Sequence, residues 1–500
     1  MRLIQIASAF VLMPFLIRGF GIAEYGVFAL ASSLSVYVGL LDFGVNQTLV
    51  KYVAEYRARG EHRRVSGLLS NGTAYYVAVG VVAAGLLVAL AVFGVRLLHL
   101  SPADAALASE LFFVAAVISL FTWPLGVGLA VLNGLQRYDL SSYVNTFVVA
   151  GSFVVTVVVL FLHDGPVALL AAMGVITIIG SAAACVMASQ QLGGMGLSLG
   201  LLSRDGMRTI FGFSWMIFVT QIAGAATNEQ TDRFVLATFV GARPVGLYDP
   251  ISRLNGMISQ LASFPAAVLV PAASHMDAQH RTESLRALYV RGSKYTVAFV
   301  APMAVGLITL AHPLLLSWLG PQFAEMTVPA QVFLVIWLMY ANLVVAFAIF
   351  VGIGRLRFLM WFNLATAALN FLMSVALVQH YGVLGVIVGT VAADTLLFPI
   401  GIWYAFRTFE IGAPEYLRRV VLPTYPLLLV TAGLAFLAEY VGLTNTLLGV
   451  AVAGIGSVAV YWAAVYSFGL DGSEKADVGE LVATLATRLG IGPDDSRTQG

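Results

Sequence analysis

The 500-residue sequence has little charge and a single cysteine. Charged residues make up 10% of it, against roughly 25% in soluble domains. Cys185 stands alone in an apolar run, so it is interpreted as a small buried hydrophobe and not as part of a disulfide or metal site. The seven histidines show no metal-ligand spacing, and no cofactor is predicted. A net charge of +1 without basic blocks argues against nucleic-acid binding.

Sequence motifs typical of several classes of membrane protein are also missing. There is no GxxxxGK[ST] motif and no soluble stretch large enough for a nucleotide domain, which argues against an ATP-driven exporter. No Asp-x-Asp motif appears, and the loops opposite the basic ones are short, unlike those expected of a membrane glycosyltransferase, ligase or polymerase. The segment from Lys51 to Arg64 lacks the acidic/Arg-Gly pattern typical of a major-facilitator transporter. No cleavable signal peptide is evident. Because the motifs and large loops expected of a membrane enzyme are missing, the chain is predicted to be a transporter and not an enzyme.

Apolar runs dominate the rest of the chain. Hydrophobic residues make up 60% and the mean hydropathy is +0.91. A membrane-spanning helix needs about 20 apolar residues, because unpaired backbone groups are not tolerated in hydrocarbon. The runs predict an all-α polytopic membrane protein with about fourteen transmembrane helices. They lie near residues 3–18, 26–49, 71–98, 108–133, 141–162, 166–188, 209–235, 243–273, 294–318, 328–353, 358–378, 384–406, 420–440 and 444–468.

Basic residues are distributed unequally between the two sides of the predicted bundle. They concentrate in the loops after the even-numbered helices, most densely at 51–64 and 281–294. The opposite side has only Arg18, Arg96, Arg233 and Arg243, all near helix ends. Cytoplasmic loops of membrane proteins carry the excess of Lys and Arg, so both termini are predicted to be cytoplasmic.

The C-terminal tail, residues 469–500, is polar. Five apolar residues within it recur at helical spacing: Val478, Leu481, Val482, Leu485 and Leu489. This spacing indicates either a short amphipathic helix on the cytoplasmic side or a solvated end without a specific role.

The chain also shows an internal duplication. A shift of 220 residues aligns glycines at helix starts and loops: Gly21 with Gly241, Gly26 with Gly246, Gly72 with Gly292, and Gly134 with Gly354. Each unit holds six helices, so the two repeats are parallel. The predicted division is an N-terminal lobe at 1–188, a cytoplasmic linker at 189–208, a C-terminal lobe at 209–407, two extra transmembrane helices at 420–468, and the tail.

Two turn segments carry a family resemblance. The first runs from Arg18 through Glu24-Tyr25-Gly26 to Ala29 and is followed by Leu41-Asp42-Phe43-Gly44; the second holds Thr231 to Leu236, Gly241 and Val245 to Tyr248. Residues 1–468 resemble the polysaccharide-flippase (Wzx-like, O-antigen and exopolysaccharide) branch of the multidrug/oligosaccharidyl-lipid/polysaccharide exporter (MOP) superfamily. Phe20 departs from that pattern, which has Leu at the same place.

The resemblance implies a V-shaped, two-lobed bundle in the bacterial inner (plasma) membrane. The activity that it implies is translocation of a polyprenyl-pyrophosphate-linked oligosaccharide to the periplasmic leaflet by alternating access. Some members couple transport to H⁺ or Na⁺. The implied partners are this cargo, membrane lipids, and the polymerase or glycosyltransferases of the same pathway. The alternative is a multidrug/cation antiporter of the same superfamily.

Ionisable residues inside membrane helices are costly and are therefore the candidates for cargo binding. Glu229 and Arg233 are spaced i,i+4, as are Asp249 and Arg253, while Asp232 lies between the first two. We expect Arg253 and Arg233 to face the cavity and attract the diphosphate, with Asp249 and Glu229 holding them when cargo is absent. The alternative is that Glu229, Asp232, Arg233 and Asp249 lie at periplasmic helix ends.

Two carboxylates are candidates for ion coupling. Asp394 lies near the middle of a predicted helix and is either a coupling residue or a packing residue hydrogen-bonded beside Thr390 or Thr395. Asp42 lies near a cytoplasmic helix end, where capping or pairing with the loop is the alternative. Arg18 either meets the head group at the periplasmic mouth or extends to lipid phosphates.

Overall fold

The structure is a computed structural model that describes residues 2–193, 199–212, 214, 230–476 and 479. All regular elements in these ranges are helical. Ten helices there are long and apolar enough to span a membrane, or eleven when one bent helix pair counts as a span. Large apolar side chains such as Phe161, Leu429 and Phe468 are exposed, as contact with lipid requires. The all-α, multi-pass membrane fold is confirmed, whereas the count of fourteen spans stays a prediction.

Seven helices lie within residues 2–193. They are α1 (Arg2–Phe20), α2 (Ile22–Val38), α3 (Val45–Ala58), α4 (His62–Val92), α5 (Pro102–Gly134), α6 (Tyr138–Phe161) and α7 (Pro166–Leu192). Pro102 and Pro166 each stand at a first helical position, where the missing N–H costs no hydrogen bond.

The prediction of one helix over 26–49 is wrong. α2 ends at Val38, a 3₁₀ turn follows, and Phe43 and Gly44 are both left-handed, with φ of 49° and 77°. The Asp42 carboxylate then accepts the backbone N–H groups of Gly44 and Asn46 at 3.1 and 3.2 Å and starts α3. The basic stretch predicted as a loop is therefore largely helical.

Nine further helical spans lie within residues 230–476. They are α8 (Gln230–Phe239), α9 (Ala242–Ser263), α10 (Ala266–Ala278), α11 (Thr282–Thr309), α12 (Ala311–Leu319), α13 (Thr327–Gly352), α14 (Leu356–Phe409), α15 (Ala413–Tyr440) and α16 (Leu447–Ala464). α11 and α12 meet at a bend of 69°, so the single helix predicted over 294–318 is broken near its end.

α14 is two helices joined at Gly382. That glycine has φ 55° and ψ −128°, which no helix allows, and the chain folds back after it. A Cβ on Gly389 would lie 2.7 Å from the backbone nitrogen of Ser374, so the second arm packs directly on the first. The predicted helices 358–378 and 384–406 correspond to these two arms.

Helix boundaries and turns support the duplication. α2 and α9 start at residues 22 and 242, and α4 and α11 start at 62 and 282, each pair 220 apart. Gly60 and His280, also 220 apart, both have positive φ, at 72° and 55°. In each repeat the turn is closed in the same way, because Glu61 N–H donates to the Tyr56 carbonyl at 2.9 Å and Arg281 N–H donates to the Met276 carbonyl at 3.0 Å.

The alignment of Gly134 with Gly354 needs a correction. A Cβ on Gly134 would meet the carbonyl oxygen of Val50 at 2.9 Å, and a Cβ on Gly352 would meet that of Val270 at 2.6 Å. Val50 and Val270 are 220 apart, but the two packed glycines are 218 apart (352 minus 134). The second repeat is two residues shorter at this point, so Gly352 and not Gly354 corresponds to Gly134.

The described contacts divide the chain into two compact units. One comprises 1–257 with 357–396, and the other 258–356 with 397–500. The core of the first unit centres on α3, α4 and α5 and includes Val53, Leu69 and Val131. Cys185 in this unit is half-buried, and its thiol donates to the Leu125 carbonyl at 3.2 Å. The lobe boundaries predicted at 188, 209 and 407 stay a prediction.

Within the second unit, the start of the polar tail is bound to α11. Asp471 caps a short turn by accepting the N–H of Glu474 at 2.9 Å, and that contact lowers the pKa of the Asp471 carboxyl. Glu474 in turn lies 2.5 Å from the ammonium group of Lys294 in α11, and both side chains are buried. The amphipathic helix predicted from Val478 to Leu489 lies outside the described residues.

Candidate functional site

The repeat-related helices α2 and α9 cross at two glycines. A Cβ on Gly26 would lie 2.1 Å from the carbonyl oxygen of Ala242, and a Cβ on Gly246 would lie 2.1 Å from that of Ile22. The contact is reciprocal, since each glycine and the carbonyl that it faces exchange places under the 220-residue shift. Only a residue without a side chain allows this approach. The crossing brings the polar residues near the start of each helix together.

Asp249 stands at the centre of the resulting polar cluster. Its carboxylate is buried, and both oxygens are shared among three partners. Oδ1 accepts Nε and Nη2 of Arg233 at 3.0 and 2.7 Å. Oδ2 accepts Nε of Arg253 at 2.8 Å and the hydroxyl of Tyr25 at 2.5 Å. A buried carboxylate with four charge-assisted or hydroxyl donors is well satisfied.

Arg233 is held by protein groups on all three nitrogens. Besides its two bonds to Asp249, Nη1 donates to Oε1 of Gln230 at 2.6 Å and Nη2 donates to the hydroxyl of Ser252 at 2.8 Å. Its side chain is only 7% exposed. Its guanidinium also lies 5.9 Å from the ring centroid of Tyr248, within cation–π range. Arg233 is thus an integral part of the packed interior.

Arg253 differs from Arg233 in exposure. Its side chain is 44% exposed; among the described residues its Nε donates to Asp249, and its guanidinium also interacts with the Tyr25 side chain. The exposed part of the guanidinium remains available to an anion. Arg18 is exposed in the last turn of α1, and the structure gives it no ion pair among the described residues. The structure does not bring Arg18 into hydrogen-bond contact with the Asp249 cluster.

A second polar set lies around Asp232, one position before Arg233. Its Oδ2 accepts the Tyr248 hydroxyl at 2.7 Å and lies 3.3 Å from the hydroxyl of Thr390. Thr390 is also 3.1 Å from Oδ1 of Asn370 and 3.2 Å from the carbonyl oxygen of Val386. Three oxygens of different chemical types, a carboxylate, an amide and a backbone carbonyl, thus meet at one half-buried hydroxyl. The structure places Asp232 in this set and not in hydrogen-bond contact with the arginines.

The two carboxylates predicted for ion coupling have different surroundings. Asp394 lies one turn beyond Thr390 on the same arm of α14 and accepts no hydrogen bond within the described ranges. Thr395 donates to the Val391 carbonyl instead, so the hydrogen-bonded packing alternative finds no support. Asp42 lies before the start of α3, where it accepts two backbone N–H groups and the Tyr76 hydroxyl at 2.5 Å, and its role in ion coupling stays a prediction.

The sequence predicted part of this arrangement. The pair of Asp249 and Arg253 is confirmed, and Asp249 additionally holds Arg233. Glu229, the partner expected for Arg233, lies outside the described residues. Asp249 lies about two turns inside α9, whereas Arg233 lies in the first described turn of α8, about two turns before the bend at Gly241.

Sequence reasoning missed the neutral members of both clusters. Tyr25 and Tyr248 stand in the turn segments that carried the family resemblance, although no role was assigned to either. Asn370 and Thr390 are polar residues within long apolar runs, and that is the only local signal for them. Their proximity to Asp232 depends on tertiary structure.

A known protein family matches the part of the chain that holds this cluster. The family model described as "Polysaccharide biosynthesis protein" matches residues 1–277, which include α1 to α9 and the Asp249 cluster. None of the curated proteins compared matches the chain.

Two solved structures share the fold along most of their length. The lipid II flippase MurJ in an inward closed conformation has a TM-score of 0.69 at 14% identity and covers 93% of this chain and 99% of its own. An inward-facing multidrug resistance MATE family transporter of the MOP superfamily has a TM-score of 0.68 at 13% identity and covers 81% of this chain and 94% of its own. At such identities the likeness shows the fold alone. The family model confirms the resemblance to polysaccharide biosynthesis proteins, and the solved structures confirm a fold shared with MOP transporters.

Proposed function

We propose that this chain, which belongs to the polysaccharide biosynthesis protein family, flips a polyprenyl-pyrophosphate-linked oligosaccharide across the bacterial inner membrane. Such a cargo has a dianionic or more highly charged head group that hydrocarbon does not admit. The protein supplies a cationic position within the membrane while the polyprenyl chain remains in lipid. Both termini lie in the cytoplasm, in accord with the distribution of Lys and Arg.

The observation that carries the proposal is the arrangement around Asp249. One buried carboxylate is shared by two guanidinium groups, and the more exposed of them, Arg253, has unused donors. An unused guanidinium edge is suited to a diphosphate, since its planar N–H groups match two phosphate oxygens at once. A charged group within a membrane helix is costly to keep and is by default functional.

The second polar set supports coupling to a monovalent cation. The Thr390 hydroxyl is surrounded by a carboxylate, an amide oxygen and a backbone carbonyl, and all four groups are hard oxygen donors. No cluster of three or more His, Cys, Asp or Glu side chains occurs in the described ranges, which makes a transition metal a poor fit there. We propose that Asp232 with Asn370 and Thr390 binds Na⁺ or a proton, and that Asp394 serves as a neighbouring carboxylate.

A multidrug/cation antiporter remains the alternative function, because a MATE transporter shares the fold. The most exposed charged group of the Asp249 cluster is the guanidinium of Arg253, which favours an anionic cargo over a cationic drug.

Complementation of a deletion strain tests the proposed function. Wild type and Arg253→Lys restore surface polysaccharide, the latter in part because lysine keeps the charge without the planar edge, whereas Arg253→Ala does not restore it. Arg59→Ala is the matched control, since Arg59 also pairs with a carboxylate at i,i+4 but on an exposed surface. Normal polysaccharide with Arg253→Ala, at equal protein levels, contradicts the proposal.

A further inference from the structure

Asp249 and the two arginines form a charge triad, and its members are unequally accessible. Asp249 is 2% exposed, Arg233 is 7% exposed and Arg253 is 44% exposed. Two positive charges and one negative charge leave the triad with a net charge of +1. Because Arg233 takes one carboxylate oxygen and Arg253 the other, the carboxylate is saturated from both sides.

We propose that Arg233 is a positioning residue that never touches cargo and acts by neutralising Asp249, so that the charge of Arg253 remains available to an anion. This inference rests on the proposed function. All three nitrogens of the Arg233 guanidinium already donate to protein groups, namely Asp249, Gln230 and Ser252. It therefore has little capacity to bind a phosphate directly, although the sequence predicted that both arginines would do so.

The reason for a second arginine lies in the geometry of Arg253. Its Nε is fixed by Asp249 at 2.8 Å, which orients the guanidinium, but the same carboxylate would cancel its charge. An anion approaching such a neutral pair would meet the carboxylate as well as the guanidinium. Arg233 binds the other oxygen of Asp249. The orientation of Arg253 is therefore kept, while the positive charge of Arg233 offsets the negative charge of Asp249.

Charge-changing variants separate this electrostatic role from a purely structural one. Arg233→Gln leaves a neutral Asp249–Arg253 pair, so we expect pyrophosphate affinity to fall about tenfold or more. The double variant Arg233→Gln/Asp249→Asn restores a net charge of +1 with two neutral amides, so its affinity should return to within about threefold of wild type. Arg233→Lys keeps the charge and should lose little affinity.

Tyr25→Phe is the matched control for a disturbed hydrogen-bond network. It removes a bond of 2.5 Å to the same carboxylate and changes no charge. We therefore expect it to weaken pyrophosphate binding by less than Arg233→Gln does. Equal losses from the two variants would assign the effect of Arg233 to packing and overturn the inference.

The experiment measures binding of inorganic pyrophosphate to the purified full chain in lipid nanodiscs, at constant ionic strength because salt screens charge. Thermal unfolding of each variant establishes that it is folded. Loss with Arg233→Gln and recovery in the double variant support the inference. The inference is overturned if the double variant binds as weakly as Arg233→Gln, or if Arg233→Gln binds like wild type. In either case the proposed function still stands, provided that Arg253→Gln abolishes pyrophosphate binding. If wild type and Arg253→Gln bind pyrophosphate equally, the cationic site itself is wrong, and the inference falls with it.

Discussion

Gly26 in α2 packs against Gly246 in α9, and a Cβ on Gly26 would lie 2.8 Å from the Gly246 nitrogen. The two glycines are equivalent positions of the duplicated sequence, so the two repeats contact each other at equivalent points. Next to this crossing, the Tyr25 hydroxyl reaches Asp249 at 2.5 Å across 224 residues of sequence. The close helix approach is therefore what joins the first repeat to the charged cluster of the second.

The crossing predicts that alanine is not tolerated at either glycine. Gly26→Ala or Gly246→Ala places a Cβ 2.1 Å from a backbone oxygen, and the backbone has to shift at a cost of about 1–3 kcal/mol or more. We expect a lower melting temperature and loss of transport. Gly85→Ala in α4 is the control, since its Cβ meets nothing within 4 Å. A variant at Gly26 that melts and transports like the Gly85 variant would refute the crossing.

The buried pair of Lys294 and Glu474 predicts that the start of the tail contributes to stability. Glu474→Gln leaves a buried ammonium group without its counter-charge, which typically costs roughly 3–5 kcal/mol. Replacing both residues by methionine removes both charges and should cost much less. Thermal unfolding in detergent measures the difference. The control is Glu61→Gln, because Glu61 pairs with Arg64 on the surface and contributes little. Equal melting temperatures for the two single variants would contradict the prediction.

The oxygen set around Thr390 predicts a ligand-dependent melting temperature. A cation that binds only the folded state raises stability by about 2.7 kcal/mol at a concentration 100 times its Kd. Wild type should melt higher in NaCl than in choline chloride of equal ionic strength, and Asp232→Asn or Asn370→Ala should abolish the difference. Asp104→Asn, at an exposed helix start, is the control. A sodium response that persists in Asp232→Asn would exclude this site, and a response to pH in place of Na⁺ would assign it to protons.

The single cysteine allows the predicted orientation to be tested. In a Cys185→Ser background, Arg59→Cys lies in the predicted cytoplasmic turn and Leu162→Cys in the turn after α6, predicted to be periplasmic. A membrane-impermeant maleimide added to whole cells should label the cysteine at 162 and should reach the one at 59 only after permeabilisation. The opposite pattern would invert the topology.

Much of the fold could be predicted because its signals are local. Apolar runs predicted the membrane spans, and glycines at turns predicted the duplication, because each of these signals lies within a short stretch of sequence. The break after Val38 was hidden, because the apolar run continues through it and only Asp42 marks the new helix start. The two-residue shift at Gly352 was hidden too, because Gly354 offered an equally good match by identity alone.

The site, too, combines contacts that follow from local spacing with contacts that depend on tertiary structure. Asp249 and Arg253 are one helical turn apart, so their pairing follows from spacing. The bonds of Asp249 to Arg233 and Tyr25 join different helices, and no periodicity encodes them. Asp232 was grouped with the arginines because it is adjacent to Arg233 in sequence. Its actual partners, Tyr248 and Thr390, lie on two other helices.

The most direct test of the proposed flippase is the membrane sidedness of the lipid-linked precursor in a deletion strain. We expect the precursor to accumulate on the cytoplasmic leaflet, and wild type but not Arg253→Ala to release it to the periplasmic leaflet. A normal distribution of precursor in the deletion strain, together with increased sensitivity to cationic drugs, would contradict the flippase and assign the protein to drug efflux.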